Sequence, residues 1–216
     1  MKTLIDNDEI YTVRNRFLDW QLINDAKTSY DRMLTANEQH KLCVKAQARE
    51  SARVGRLQRN AAIYASHFMQ VLLMAVARGE IKRSLLPLYG LSADGTSLPD
   101  MKTAEALSQW IPKVVQGEKA RIAKGGRPIY NPTISMVATH YDIFREAHSR
   151  YVVLLSRSKQ ALCALQKLRP EADRLILELW NQIEKHFEAE PSESRLEHCR
   201  KFGVVYYYRK GEGGDS

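Results

Sequence analysis

Six cationic side chains recur at spacings of three and four residues, the spacing of neighbours on one face of a helix. At about 100° per residue they fall within a sector of roughly 120°. The only acid between the first and the last of them is Glu50, which lies off this sector. Closely spaced cations bind phosphate groups, so the chemistry they predict is anion binding. This basic stripe consists of Lys41, Lys45, Arg49, Arg53, Arg56 and Arg59.

The basic stripe has two interpretations. It faces nucleic acid, in which case six neutralised charges predict a salt slope of about −5. No base-reading motif and no interleaved aromatic residues accompany it, so such binding would be independent of sequence. The interpretation that we favour is a solvated face partly paired with acids of the preceding helix, at about 0.2–1 kcal/mol per exposed pair. Those acids are Asp8, Glu9, Asp19, Asp25 and Asp31.

Catalytic and metal-binding patterns are sparse. No Glu is followed by His at the i, i+3 spacing of di-iron bundles. His40 with Cys43, and His198 with Cys199, are too few for a structural zinc site. His148 is expected to be a core histidine. We therefore expect no catalytic residue, no metal and no cofactor, and we lean against an enzyme.

The segment KGGRP, residues 124–128, allows two interpretations. Its backbone N–H groups and flanking cations are suited to cradling an anion. The favoured alternative is a glycine turn ahead of a proline, with solvated charges on either side.

Helical periodicity runs through most of the chain. Capping boxes at Asp6–Glu9 and Thr35–Glu38 predict a first helix from about Asn7 and a second helix from Thr35 to Arg78. The segment 79–133 is turn-rich and contains a shorter helix, over about 101–123, that we expect to be broken or kinked near Pro112.

The second half of the chain predicts two more helices. Pro132 is expected at the first position of the third helix, and Pro170 at the start of the fourth. Spacings of three and four give the third helix a coiled-coil-like seam. Its positions are Val137, Tyr141, Phe144, His148, Tyr151, Leu155, Ser158, Leu162 and Leu165.

These elements predict a mainly α protein, a long antiparallel four-helix bundle with an irregular insertion and a short C-terminal β element. Residues 1–190 would form the bundle, with 79–133 as an excursion between two hairpins. Residues 191–216 would add a short helix, a strand and a mobile tail. The strand is expected because β-branched and aromatic residues are adjacent there, and it would serve assembly. Its residues are Val204, Val205, Tyr206, Tyr207 and Tyr208.

The bulk composition is that of a globular protein, with a net charge of +8 and a sequence pI near 9.4. The sequence contains neither an uninterrupted apolar run of about 18 residues nor a signal-like N-terminus. We therefore expect a cytoplasmic protein with no membrane association. The three cysteines are far apart and are expected to be reduced thiols.

Five blocks occur in a fixed order: HFMQVLLMAVARGEI, LYGL, GEKARIAKGGRPIYNP, LRPEADRLILELWNQIEKHF and FGVVYYYRKGE. Together they resemble a family of bacterial helical proteins of unknown function. The resemblance covers roughly residues 61–212 and implies no activity, substrate or site residue. The basic stripe lies mostly outside these blocks.

The function that the sequence favours is a non-catalytic scaffold or protein-interaction protein. We expect a protein partner or self-association as a homo-oligomer through the C-terminal strand and the bundle faces. The alternative is sequence-independent binding of nucleic acid, or of another polyanion, by the basic stripe.

Overall fold

The chain is mainly helical in its computed structural model, which describes residues 1–7, 17–93 and 97–207. Helix α2 has 58 residues and helix α4 has 53. The mainly α class is therefore confirmed. The elements are α1 (Lys2–Ile5), α2 (Trp20–Ala77), a 3-10 helix (Arg83–Tyr89), α3 (Ala104–Ala123), α4 (Ile134–His186) and α5 (Ser192–Lys201).

Two predicted helix boundaries are wrong. Thr35 lies inside α2 and Pro170 lies inside α4, so each pair of predicted helices is one continuous helix. The capping signal at Thr35 is not preceded by a glycine or proline that would end a helix there. Pro170 is exposed, as is Gln166 four residues earlier, so water is able to satisfy the carbonyl that proline leaves without a donor. The four-helix bundle built from two hairpins is not confirmed.

Helix α3 also passes through its proline. It is one helix across Pro112, and Thr103 caps its start by accepting a hydrogen bond from the Ala106 N–H at 3.1 Å. Helix α4 begins at Ile134 rather than at Pro132, because Thr133 Oγ1 accepts from the Met136 N–H at 3.2 Å.

The chain packs as two compact units. The first unit contains residues 1–42 and 158–216, and the second contains residues 43–157. In the first unit, the beginning of α2 and the end of α4 share an apolar core with α5 and the segment that follows it. The core residues are Leu4, Leu18, Leu22, Ile23, Ala26, Leu175, Leu179, Ile183, Cys199, Phe202 and Val204.

The second unit has its own core, built from the end of α2, the 3-10 helix, α3 and the beginning of α4. Three positions of the predicted seam, Val137, Tyr141 and Phe144, are buried here, whereas Leu162 is 39% exposed, so the coiled-coil-like seam is not confirmed. Further fully buried side chains are Phe68, Met69, Leu72, Leu86, Tyr89, Leu107, Ile111 and Val114. This core fixes the positions of the loop that follows α3 and of the segment that follows α2.

By length and composition, one helix among the described residues, α2, contains an 18-residue window apolar enough to cross a membrane. That window is 39% buried inside the fold. Core helices pass the same test, and Phe68, Met69 and Leu72 of this helix are fully buried in the second unit.

Three expectations fall outside the described residues. The first capping box depends on Glu9, the predicted strand includes Tyr208, and the predicted mobile tail is residues 211–216. Within the described part of the chain, the first long helix begins at Trp20.

Candidate anion-binding site

The basic stripe lies along the exposed side of α2. All six of its side chains are exposed, as the sequence predicts. Lys41 belongs to the first unit, and the other five cations belong to the second. We call those five the five-cation face: Lys45, Arg49, Arg53, Arg56 and Arg59.

Two cations of the stripe have carboxylate partners, and both partners come from α2 itself. Lys41 Nζ lies 2.8 Å from Glu38 Oε1, and Arg53 Nη1 lies 3.3 Å from Glu50 Oε1. Among the described residues, no carboxylate lies within 4 Å of the remaining four stripe cations. Within the described part of the chain, four of the six stripe cations are therefore compensated only by solvent.

The sequence predicts that acids of a preceding helix partly neutralise the basic stripe. This prediction is wrong for two of those acids. Asp25 and Asp31 lie on α2, upstream of the stripe on the same continuous helix, and cannot pack alongside it. Asp19 Oδ1 accepts a hydrogen bond from the Gln21 N–H at 2.8 Å and contacts no stripe cation. Asp8 and Glu9 lie outside the described residues.

Small residues separate the cations of the five-cation face. Ala52 and Ala48 are exposed, and by helical geometry Ala52 lies within its sector and Ala48 at the edge of that sector. Gly55 is also part of α2, and a Cβ atom placed there would have no heavy atom within 4 Å. Short side chains between long cationic ones leave room for a rod-like polyanion to approach the helix.

A second basic region is a cavity in the second unit, about 920 Å³ in volume. It lies among the end of α2, the segment that follows α2 and the loop that follows α3. Four cations line it, together with one acid, Glu80, and the buried Arg121. We call it the basic cavity, and its four lining cations are Arg78, Lys82, Lys124 and Arg127.

Beneath the basic cavity, Glu118 and Arg121 form a buried ion pair one turn apart on α3. Arg121 Nη2 lies 2.7 Å from Glu118 Oε1, and Arg121 Nε lies 3.0 Å from Glu118 Oε2. Tyr89 donates its hydroxyl hydrogen to Glu118 Oε2 at 2.5 Å, and the Ile129 N–H donates to Glu118 Oε1 at 3.2 Å. Arg121 Nη2 also donates to the carbonyl of Arg127 at 2.7 Å. These bonds tie the loop after α3 to the 3-10 helix.

This network determines the protonation states of its members. Burial raises the pKa of Glu118, but hydrogen bonds from Arg121, Tyr89 and the Ile129 N–H outweigh burial, so the pKa lies below its usual value. The hydrogen bond to Glu118 raises the pKa of Arg121 despite burial. Burial, followed by the hydrogen bond to Glu118, raises the pKa of Tyr89. The pair is therefore ionised and Tyr89 is neutral at pH 7.

The backbone cradle, which is the less favoured interpretation of residues 124–128, is contradicted at three of its N–H groups. The N–H groups of Lys124, Gly125 and Gly126 all donate to carbonyls in the last turn of α3. The bonds from Gly126 N to Arg121 O and from Gly125 N to Ile122 O form a Schellman cap, for which Gly125 adopts a φ of 87°. The favoured glycine turn is confirmed, but the expectation that its flanking charges are solvated is wrong for Arg121, which is 4% exposed.

The three comparisons with known proteins give no match. No family model, curated protein or solved structure matches this chain. The resemblance inferred from the five blocks therefore stays a prediction, and the site must be interpreted from its own geometry.

The C-terminal segment does not form the predicted strand within its described residues, 204–207. Gly203 has a φ of 85° and the Val204 N–H donates to the Cys199 carbonyl, which turns the chain back onto α5. Val204 is 3% exposed in the first core, and Tyr206 donates its hydroxyl hydrogen to Glu184 Oε1 at 3.0 Å. The C-terminal β element is not confirmed.

Two histidines of α4 lie in aromatic surroundings. The His140 ring stacks on Tyr64 with centroids 3.9 Å apart, and His148 lies between Phe144 and Tyr151. Neither histidine lines the basic cavity. Within the described ranges, no group of three or more His, Cys, Asp or Glu side chains is placed to hold a metal ion.

Proposed function

We propose that this chain is a non-catalytic binding protein whose five-cation face binds the phosphate backbone of nucleic acid. The observation that supports this function is the exposure of all five cations on one helix, with a single carboxylate partner among the described residues, Glu50. A phosphate backbone is the polyanion whose charges repeat along a rod, as the cations do along α2.

Binding would be independent of base sequence. Groove recognition needs Asn, Gln or Arg side chains at base edges together with a docking element that enters the groove. The five-cation face presents Lys and Arg separated by Ala48 and Ala52, which favours contact with phosphates. It carries no aromatic side chain on which unpaired bases would stack.

The test is fluorescence anisotropy with duplexes of unrelated sequence across a salt series. Five engaged cations give a salt slope of about −4.5, since each neutralised phosphate contributes about −0.9. The triple variant Arg49→Ala, Arg56→Ala and Arg59→Ala is expected to lower the magnitude of the slope by about 2.7.

A matched control removes the same charge elsewhere in the second unit. Arg83, Lys102 and Lys119 are exposed and lie off the five-cation face. Changing all three to alanine is expected to leave the slope unchanged. Equal loss of affinity in both triple variants, or no binding at low salt, would refute binding through this face.

A second candidate function is protein interaction or self-association through the C-terminal segment. Its support is the alternation of anchored and exposed side chains, since Val204 is buried whereas Val205 and Tyr207 are 48% and 87% exposed. Two such segments pairing as strands would supply the β element that the sequence predicts.

Light scattering tests this second candidate. Val205→Ser with Tyr207→Ser changes only exposed side chains and is expected to reduce an oligomer to a smaller species. Tyr130→Ser, at another exposed tyrosine, is the control. An unchanged mass in the double variant, or a monomeric parent chain, would exclude this mode of assembly.

A further inference from the structure

The basic cavity has the size and construction of a small-molecule site. Its volume of about 920 Å³ lies within the roughly 300–1,000 Å³ that ligand sites occupy. Apolar side chains contribute to its wall, among them Val71, Ile81 and Leu85. It belongs wholly to the second unit, where the end of α2, the segment that follows α2 and the loop that follows α3 line it.

A buried arginine supplies the first feature that points to a ligand. Arg121 is 4% exposed, and its Nε and Nη2 donate to Glu118, Tyr89 and the Arg127 carbonyl. Its Nη1 makes no hydrogen bond to a described residue. No buried side-chain nitrogen or oxygen in the described part of the chain lacks a partner, so Nη1 must reach the accessible surface. Arg121 lines the basic cavity, and Nη1 is the one nitrogen of its fixed guanidinium without a hydrogen bond to a described residue.

The charge of the lining is the second feature. Glu118 compensates Arg121, which leaves four lining cations against the single carboxylate of Glu80. Arg78 Nε lies 2.7 Å from Glu80 Oε1, so one of these cations is already paired. Lys82, Lys124 and Arg127 have no carboxylate partner among the described residues. Three uncompensated cations near a fixed guanidinium favour a multiply charged anion.

An aromatic ring beside the cations is the third feature. Tyr130 lines the basic cavity and is 77% exposed, although its neighbour Ile129 is buried. An exposed ring next to a cluster of cations is the combination that a nucleotide needs, because phosphates bind the cations and a base stacks on the ring. An inorganic anion would contact the cations but would not use the ring.

We propose that the basic cavity binds a phosphorylated ligand of nucleotide size. Its phosphates contact Arg121 Nη1, Lys124 and Arg127, and its base stacks on Tyr130. Two sources supply such a ligand: a free nucleotide and the phosphorylated end of a nucleic-acid strand. Both present a terminal phosphate next to a nucleoside. This site is separate from the five-cation face, so neither proposal depends on the other.

Calorimetric titration of the full chain with ATP, AMP and inorganic pyrophosphate tests the proposal. Lys124→Ala with Arg127→Ala is expected to weaken ATP and pyrophosphate at least about tenfold, because the two changes remove two charge-assisted contacts to phosphate. Lys119→Ala removes a cation of α3 that lies outside the basic cavity and is expected to change neither affinity.

Tyr130→Ala separates nucleotide binding from simple anion binding. Loss of stacking is expected to weaken ATP about tenfold and to leave pyrophosphate unchanged. A dinucleotide with a 5′-phosphate that binds as well as AMP would assign the ligand to a strand end, whereas weaker binding would assign it to a free nucleotide.

Three outcomes would overturn the proposal. They are no binding of ATP at millimolar concentration, equal affinity in the Lys119→Ala and Lys124→Ala/Arg127→Ala variants, and equal weakening of ATP and pyrophosphate by Tyr130→Ala. Circular dichroism of each variant establishes that the helices are intact, so a loss of binding is assigned to the cavity.

Discussion

Arg121 and Glu118 lie one helical turn apart on α3 and form an ion pair that is almost wholly removed from solvent, at 4% and 0% side-chain exposure. Every polar side-chain atom of the pair, except Arg121 Nη1, has a hydrogen-bond partner among the described residues. It joins three segments, since Tyr89 of the 3-10 helix and Ile129 of the loop after α3 both donate to Glu118. The basic cavity is thus built on an electrostatic network within a helical core.

Breaking this pair is expected to destabilise the second unit strongly. Glu118→Gln leaves the charge of Arg121 buried without its partner, which costs about 3–5 kcal/mol. Urea unfolding followed by circular dichroism measures the loss. Glu105→Gln changes an exposed acid on the same helix and is the matched control.

A double variant shows whether the loss of stability comes from an uncompensated buried charge or from the change of side-chain shape. Glu118→Gln with Arg121→Met removes both charges, so no uncompensated charge stays buried, unlike in Glu118→Gln alone. We expect the double variant to be more stable than Glu118→Gln alone. Additive losses from the two changes would contradict the buried-charge explanation.

The same pair makes stability depend on pH in the acid range. The folded-state pKa of Glu118 is lowered, so its contribution is fully present above the unfolded pKa of about 4.3. As pH falls below that value, the unfolded chain takes up the proton first, and the contribution declines until the folded carboxyl is also protonated. The difference in unfolding free energy between the parent chain and Glu118→Gln should therefore shrink from about pH 5 downwards.

Unfolding titrations at stepped pH values measure this difference. The Glu105→Gln control shows the acid dependence that comes from exposed carboxylates. A difference between the parent chain and Glu118→Gln that stays constant throughout the acid range would show that Glu118 does not have a lowered pKa.

Two helical glycines are expected to respond oppositely to alanine. A Cβ atom at Gly117 would lie 2.7 Å from the Leu88 carbonyl oxygen and 2.8 Å from Tyr89 Cδ1, so α3 must move away from the 3-10 helix. Overpacking of this kind costs about 1–3 kcal/mol. Gly55 on α2 has open space, and alanine there is expected to stabilise the helix by about 0.5–1 kcal/mol.

Thermal unfolding of the two single variants checks this prediction. Gly55→Ala changes α2 between Arg53 and Arg56 and leaves all five cations of the five-cation face in place. A lower melting temperature for Gly55→Ala would reveal a contact that the described residues do not show.

Periodicity predicted the faces of the helices better than their ends. Val137, Tyr141 and Phe144 are buried as their spacing indicates, and the cations of the stripe are exposed. The ends were missed because a capping box or a proline is a local signal, whereas helix length depends on packing along the whole element. Pro170 is tolerated inside α4 because it lies on an exposed turn.

The buried network could not be predicted from the sequence. Glu118 and Arg121 have the i, i+3 spacing of an ordinary surface pair, and this spacing does not distinguish them from the exposed Glu171 and Arg174. What buries them is Tyr89, contributed by a segment 29 residues away from Glu118. The one local hint is Gly117, whose missing Cβ lets the 3-10 helix approach α3.

The C-terminal segment allows a last test, because its two neighbouring valines differ only in where they point. Val204 is 3% exposed in the first core, whereas Val205 is 48% exposed. Val204→Ala removes buried methyl groups and is expected to cost about 2 kcal/mol. Val205→Ala is expected to change the unfolding free energy by less than about 0.5 kcal/mol.

Urea unfolding of the two variants compares the same chemical change at adjacent positions. The expected difference follows from the turn at Gly203, which places Val204 against the core that contains Cys199 and Phe202. Equal losses would mean that the segment pairs on both sides, as a strand in an assembly does. In that case the proposal of self-association through the C-terminal segment would gain support, and the interpretation that Val204 only packs within its own chain would lose it.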